Sequence, residues 1–323
     1  MQFTQIPQQF APLGRPVRYA VKHDAAADID IRILACDDES VLAAKRFAAV
    51  SEAEFDVAPA LRRSLRFAPE TGGTGFIDPT GRSVDARVMA FVTGHEEEAV
   101  ISALRAFLPG VAAPDQSGIR TTMPLERLIP EGAADELTLF AATPCAVTVT
   151  ATAPDSVTAQ HYQSAGNGLQ PFRLDTREFA GAETITVDAG ACGSILYTLV
   201  PGCEEAVRLA WRTGAGSIEH YSFPIVRETA LGVDKTRAEG PDGAIVAAVE
   251  SVREMRLASA FEQAAVLEAL AGLIEAPQVW RVGKEGYEPV DVATDSVTIR
   301  QHGAMHCLEV TIRSTRKSSV SWS

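Results

Sequence analysis

A mainly β fold, two tandem β-sandwiches followed by a small α+β domain, is what three observations on this sequence predict. Short runs alternate apolar and polar residues, as in Asp28-Ile-Asp-Ile-Arg-Ile-Leu, where Ile29, Ile31 and Ile33 share one face. Turns rich in Gly, Pro and Asp separate such runs roughly every 8–12 residues. One stretch near the C-terminal end, Ser259–Ala276, has helical spacing instead.

The first region, residues 1–110, opens on Pro7, Pro12 and Pro16, which suit an extended chain at a sheet edge. Val17–Val21, Ile29–Leu34, Leu42–Phe47 and Arg82–Phe91 read as strands, with Asp37-Asp38-Glu39-Ser40 as a turn among them. Ala58-Pro-Ala-Leu-Arg-Arg predicts a short helical turn, because Pro59 is pre-set for the first helical position. Glu96–Phe107 stays open between two forms. Three glutamates followed by Val100, Ile101, Leu104 and Phe107 fit a helix; the shortness of the segment fits a connection. Pro109-Gly110 with Ala112-Ala-Pro-Asp-Gln-Ser-Gly is the best linker candidate.

The second region, 111–228, repeats this grammar with Glu136–Ala141, Ala146–Ala151, Glu183–Val187, Ser194–Val200, Ala206–Arg212 and Ser217–Val226. Ala165-Gly-Asn-Gly and Arg212-Thr-Gly-Ala-Gly-Ser are tight turns, where Asn and Gly tolerate positive φ. Both regions have the composition of Ig/fibronectin-like sandwiches. The third region, 229–323, differs. After an extended run, Ala244–Arg256, Phe261, Ala264, Leu267, Leu270 and Ile274 fall on one helical face, between Ser259 as a cap and Pro277 as a stop. Four short strands follow: Gln278–Val282, Pro289–Val292, Ser296–Gln301 and Cys307–Arg313. That order is α+β.

A chain of 323 residues is long enough for two or three cores. The net charge of −13, with basic residues that are mostly Arg and scattered singly, excludes a nucleic-acid partner. Arg in place of Lys suits paired or interfacial guanidinium groups. No run approaches the roughly 20 apolar residues of a membrane span. The segment Met1-Gln-Phe-Thr-Gln-Ile-Pro is no basic-then-apolar leader, so no membrane partner and a cytoplasmic location are expected. Cys36, Cys145, Cys192, Cys203 and Cys307 are odd in number and far apart, which excludes a disulfide framework or zinc ribbon.

The chemical candidates are weak. His302-Gly-Ala-Met-His306-Cys307 offers soft-metal ligands, but Gly303 between two strand-like runs predicts a hairpin turn. Asp37-Asp38-Glu39 and Glu96-Glu97-Glu98 lack the ligand periodicity of a calcium loop. Thr71-Gly-Gly-Thr-Gly-Phe lacks the Lys-Ser/Thr of a phosphate loop. Cys192 is followed by a strand rather than the helix that a thiol nucleophile would open. No catalytic residue, metal site or cofactor is expected. The aromatics say more. Trp211, Arg212, Tyr221 and Phe223 flank one hairpin, and three readings are open for them: sandwich core, protein interface, or a platform stacking on sugar rings.

Four stretches carry a family resemblance. The third region runs from a strand through a helix into Ala276-Pro-Gln-Val-Trp-Arg-Val, Tyr287-Glu-Pro-Val-Asp-Val, Ser296-Val-Thr-Ile-Arg and Leu308-Glu-Val-Thr-Ile-Arg. The hairpin Arg208-Leu-Ala-Trp-Arg-Thr-Gly-Ala-Gly-Ser-Ile-Glu-His-Tyr-Ser-Phe-Pro joins a Trp strand to an aromatic one. Phe3-Thr-Gln-Ile-Pro and Phe55-Asp-Val-Ala-Pro-Ala-Leu-Arg complete the set. Together they cover about a third of the chain and resemble structural proteins of tailed phages and prophages, tail or baseplate components with β-sandwich modules. The resemblance implies a non-enzymatic building block whose partners are other virion proteins or further copies of itself, assembling in the cytoplasm and leaving in the particle. The alternative from a different class is a carbohydrate-binding sandwich, for which Trp211, Tyr221 and Trp322 are the rings.

Overall fold

The computed structural model describes residues 1–36, 40–240, 243–297, 306–315 and 318–321. The turn expected at Asp37-Asp38-Glu39, the cluster residues His302–Met305, the expected strand beyond Val297, Arg316, Lys317 and Trp322 lie outside them.

Alternation builds the first sheet. The chain lays down β1 (Gln2–Gln5), β2 (Ala11–Pro12), β3 (Arg18–Ala35), β4 (Val41–Asp56), β5 (Gly75–Phe76), β6 (Val84–Val92), β7 (Val100–Ile101) and β8 (Arg105–Leu108). All but β5 form one seven-stranded sheet in the order β1-β3-β6-β8-β2, with β4 paired to β3 and β7 to β6. On β3, Tyr19, Val21, Ile29, Ile31 and Ile33 turn to one buried face, as period two requires. Tyr19 stacks on Phe55 of β4 with ring centroids 5.8 Å apart. The predicted turn at Pro59 forms as α1 (Ala58–Leu61), and Asp56 Oδ1 accepts from the N–H groups of Ala58 and Val17. The three glutamates at 96–98 make a single 3-10 turn, and Val100 onward is extended, so this segment is a connection.

The second module is a sandwich of two sheets. Its strands are β9 (Gly118–Arg120), β10 (Glu126–Pro130), β11 (Ala134–Ala141), β12 (Ala146–Ala153), β13 (Ser156–Gln163), β14 (Gly168–Asp175), β15 (Thr184–Asp188) and β16 (Ser194–Val200). One sheet runs β10-β16-β15-β12-β13 and the other β5-β14-β11-β9. Inward residues of both, including Leu137, Leu139, Val147, Val149, Phe172, Ile185 and Ile195, make the core. Each such side chain is worth roughly 1.5–3 kcal/mol on burial. The sheet edge at β5 comes from the first region, and Phe76 packs edge-on against Phe172 at 5.2 Å.

The third sheet holds β17 (Val207–Arg212), β18 (Ile218–Phe223), β19 (Ile225–Gly240), β20 (Gly243–Ala258), β21 (Val279–Gly283), β22 (Gly286–Val292), β23 (Glu309–Ser314) and β24 (Ser318–Ser321). Its order is β18-β17-β21-β22-β23-β20-β19, with β24 beside β20. Two expectations change here. The strands of 206–226, grouped above with the second region, hydrogen-bond to β21 and so belong to the third sheet. The helix is also shorter than Ser259–Ala276: α2 spans Ala264–Ala271. Ser259 does not cap it, because the Ser259 backbone N–H donates to Leu308 O and its hydroxyl accepts from Leu308 N. Glu262 bridges His306, and Phe261 is left 68% exposed. Leu267, Leu270 and Leu273 still bury against Leu209, Trp211 and Phe223.

The predicted linker is clamped rather than free. Gly216, in the turn between β17 and β18, has φ of +84°, and a Cβ there would lie 2.1 Å from Pro109 Cγ. Gly110, at φ +92°, touches the same turn through Gly214. Only glycine allows that approach.

Candidate functional site

The hairpin β17–β18 is covered on both faces, and the parity of its residues decides which neighbour each one meets. Val207, Leu209, Trp211, Tyr221 and Phe223 face the core over α2. Ala210 and Ile218 enter the core of the first sheet, beside Trp280. Arg208 and His220 meet the second module.

This geometry decides among the readings of the four aromatic-hairpin residues. Trp211 and Phe223 are 0% exposed, so neither can stack on a sugar from solvent. Tyr221 donates its hydroxyl proton to Glu262 Oε1 at 2.7 Å, and burial pushes its ionisation upward. Arg212 lies over the Phe67 ring at 3.8 Å, a cation–π contact between the third sheet and the first module. The glycan platform is therefore corrected to core and internal interface. The structure gathers Trp211, Tyr221 and Phe223 on the face over α2 and sends Arg212 to the opposite face, against Phe67.

Beside them lies a cluster of ionised groups that the sequence did not mark. Asp135 and Glu136 open β11. The Asp135 carboxylate accepts from Tyr197 at 2.8 Å and Arg127 at 3.2 Å, and sits 3.1 Å from His220 Nδ1 and 3.9 Å from Arg208. Burial opposes its ionisation, but His220, Arg127 and Arg208 outweigh burial and hold the carboxyl well below the usual carboxylate range. Arg208 also donates to Ala134 O, and Arg173 to the carbonyls of Glu70 and Gly72 and to Tyr287 Oη. Burial pushes His220 downward, the side on which the imidazole is neutral; its Nε2 lies 3.2 Å from Tyr287 Oη.

Glu136 behaves in the opposite way from its neighbour. Arg82, of the first module, reaches it at 3.1 Å, yet burial dominates and raises its pKa to about 7. A third carboxylate, Glu219 of β18, accepts from both hydroxyls of Thr121 and Thr122, at 2.7 and 2.6 Å. The side chains thus cross every boundary: Arg82 to Glu136, Arg173 to Tyr287, His220 and Arg208 to Asp135, and Arg212 to Phe67. Perturbed groups of this kind often mark catalysis. Here Asp135 and His220 are 3% and 0% exposed at the side chain, with each other and arginines as neighbours, so no substrate reaches them. Their chemistry is to fix three modules in one arrangement. The signal that points this way in the sequence is the preference for Arg over Lys.

Other candidates resolve simply. Cys192 is buried with its thiol pushed up by burial, and it contacts Phe140 O. Among the described residues, no group of three or more His, Cys, Asp and Glu is arranged to hold a metal ion. A groove of about 410 Å³ opens between Leu231, Met255, Val290 and Ile312, rimmed by Arg253, Arg281 and Arg313. Arg281 is answered by Glu288, and Arg313 by Glu254 and Asp291.

No family model matches the chain, and no curated protein matches it. Solved structures align to it, two of them as follows. The crystal structure of Dpr2 Ig1-Ig2 in complex with DIP-Theta Ig1-Ig3 is 8% identical, over 62% of this chain and 99% of that one, with a TM-score of 0.18. The crystal structure of Salmonella alpha-2-macroglobulin reacted with methylamine is 10% identical, over 95% of this chain and 23% of that one, with a TM-score of 0.22. At those scores neither bears on fold or function.

Proposed function

We propose that the chain is a non-enzymatic structural or assembly component of a tailed-phage or prophage particle, a tail or baseplate protein working through protein–protein interfaces. One observation carries the reading beside the sequence resemblance. The convergent ionisable groups are spent inside, locking modules together, while the outside offers strand edges that no described strand pairs with and a long hairpin, β19–β20, whose residues 227–239 are all exposed. A rigid multi-module body with open edges suits a building block, since partners then add to sheets rather than enter a pocket. Its partners are other virion proteins or further copies of itself. It assembles in the cytoplasm and leaves in the particle.

Size-exclusion chromatography with light scattering, joined to negative-stain imaging, tests the reading. Defined oligomers or rings are expected. A strict monomer retained on glycan resins would sink it. The position of the coding sequence among tail-assembly genes is a second, independent check.

A further inference from the structure

The exposed strand edges are not alike. β4 carries Lys45, Arg46, Glu52, Glu54 and Asp56, and its register against β3 is broken where Ala49 takes φ of +52°. β19 carries Arg227, Glu228, Asp234, Lys235, Arg237 and Glu239, with a register shift near its start. β10 ends on Pro130 and includes Glu126 and Arg127. Charges, prolines and bulges are the devices that stop one sheet from adding to another. β13 has none of them. Its eight residues, Ser156-Val-Thr-Ala-Gln-His-Tyr-Gln, contain no Asp, Glu, Lys, Arg or Pro. They pair with β12 without a register shift, from Ala153↔Ser156 to Ala146↔Gln163. Among the described residues, no strand pairs with the other side of β13. Every residue but Tyr162 is exposed, and Val157 is 66% so.

We infer that β13 is the edge through which two copies of this chain join, antiparallel, into one continuous sheet. This deepens the assembly reading and rests on it. The occupant follows from symmetry and charge. In a two-fold pairing of identical antiparallel strands the axis is perpendicular to the sheet, so opposed residues come from the same face and their numbers sum to an even value. With Gln160 on the axis, Thr158 opposes the second copy's Tyr162, Ala159 its His161, and Val157 its Gln163. Thr against Tyr is a favourable β-branched–aromatic pair, made twice. In no register of this strand on itself do like-charged Asp, Glu, Lys or Arg side chains meet. That matters for a chain of net charge −13, whose copies carry the same net charge. β4 and β19 could pair with themselves only by opposing charges already engaged within the chain, as Arg46 is with Asp30 and Arg227 with Glu309.

The full chain with Gln160→Lys, with Gln160→Glu, and the two mixed, followed by light scattering over a concentration series, tests this. Each variant alone places like charges on the axis, and its dimer is expected to dissociate about fivefold or more readily than the unaltered chain. The equimolar mixture is expected to regain association, because lysine then opposes glutamate. Thermal unfolding of each variant checks that the exposed substitution leaves the fold intact. An oligomer indifferent to both substitutions overturns the β13 pairing and leaves the assembly reading standing. A chain monomeric at every concentration overturns both.

Discussion

Two consecutive hairpins of the third sheet, β17–β18 and β19–β20, obey the same period-two rule and meet opposite fates. In the first, the apolar odd residues reach α2 and the even residues reach the other two modules, and Arg208, Glu219 and His220 are all held by partners inside the molecule. In the second, residues 227–239 are exposed and the charges pair at the surface, as Glu254 does with Arg313 at 3.7 Å. Alternation fixes that a strand has two faces. What covers the second face decides whether a charge on it holds the molecule together or only keeps it soluble.

The largest effect belongs to the buried side of that contrast. Asp135→Asn removes the negative charge that Arg127 and Arg208 share while keeping the size of the side chain. Leaving those buried cations unanswered is expected to cost about 3–5 kcal/mol in urea denaturation. A loss under about 1 kcal/mol would mean that the junction is held by packing alone.

Glu136 gives a pH-dependent version of the same test. Its folded pKa, about 7, is raised above the ordinary value of 4.5. Between those values the folded chain holds a proton that the unfolded chain has released. Its contribution is therefore most favourable below pH 4.5 and is lost as pH rises to 7. His220 runs the other way, because burial lowers its pKa and folding gains as pH rises toward the unfolded histidine value of 6.5, above which the gain is complete. Glu136→Gln isolates the first from the second. The stability of the unaltered chain relative to that variant is expected to fall by about 3 kcal/mol between pH 4.5 and 8. A flat difference across that range would show that Arg82 keeps the carboxylate ionised.

The turn of β17–β18 supplies the next step down. Gly216→Ala strains a positive φ and drives a methyl into Pro109, with an expected loss of about 2–3 kcal/mol in the same denaturation assay. Gly232, inside the exposed β19, has no positive φ, and its nearest contact is Val252 O at 3.7 Å. Gly232→Ala should fall within about 0.5 kcal/mol of neutral.

These residues show what could be read beforehand. The alternation of Ile29, Ile31 and Ile33 and the Pro59 turn were legible, because both depend on neighbours in the chain. The α2 boundary was not, since Ser259 and Glu262 are drawn into pairing with residues 306–308, which no local pattern announces. Trp211 and Phe223 were legible as apolar but not as buried on both sides. The sequence marks a strand from Glu136 but no role for Asp135, because the partners that define Asp135 come from β10, β16, β17 and β18. Parity is a local property. The identity of the covering surface is a tertiary one.

The smallest effect closes the comparison by making one change in both hairpins. Glu219→Gln on β18 weakens charge-assisted bonds from Thr121 and Thr122 in a buried site, with an expected loss of about 1.5–3 kcal/mol. Glu254→Gln on β20 touches only a screened pair whose side chains are 42% and 45% exposed, and about 0–0.5 kcal/mol is expected. Raising the salt concentration should leave the first loss nearly unchanged and erase the second, because screening reaches only the exposed pair. Equal losses at low and high salt would show that β20 is covered in solution as β18 is within the chain, and would place a partner on the projecting hairpin.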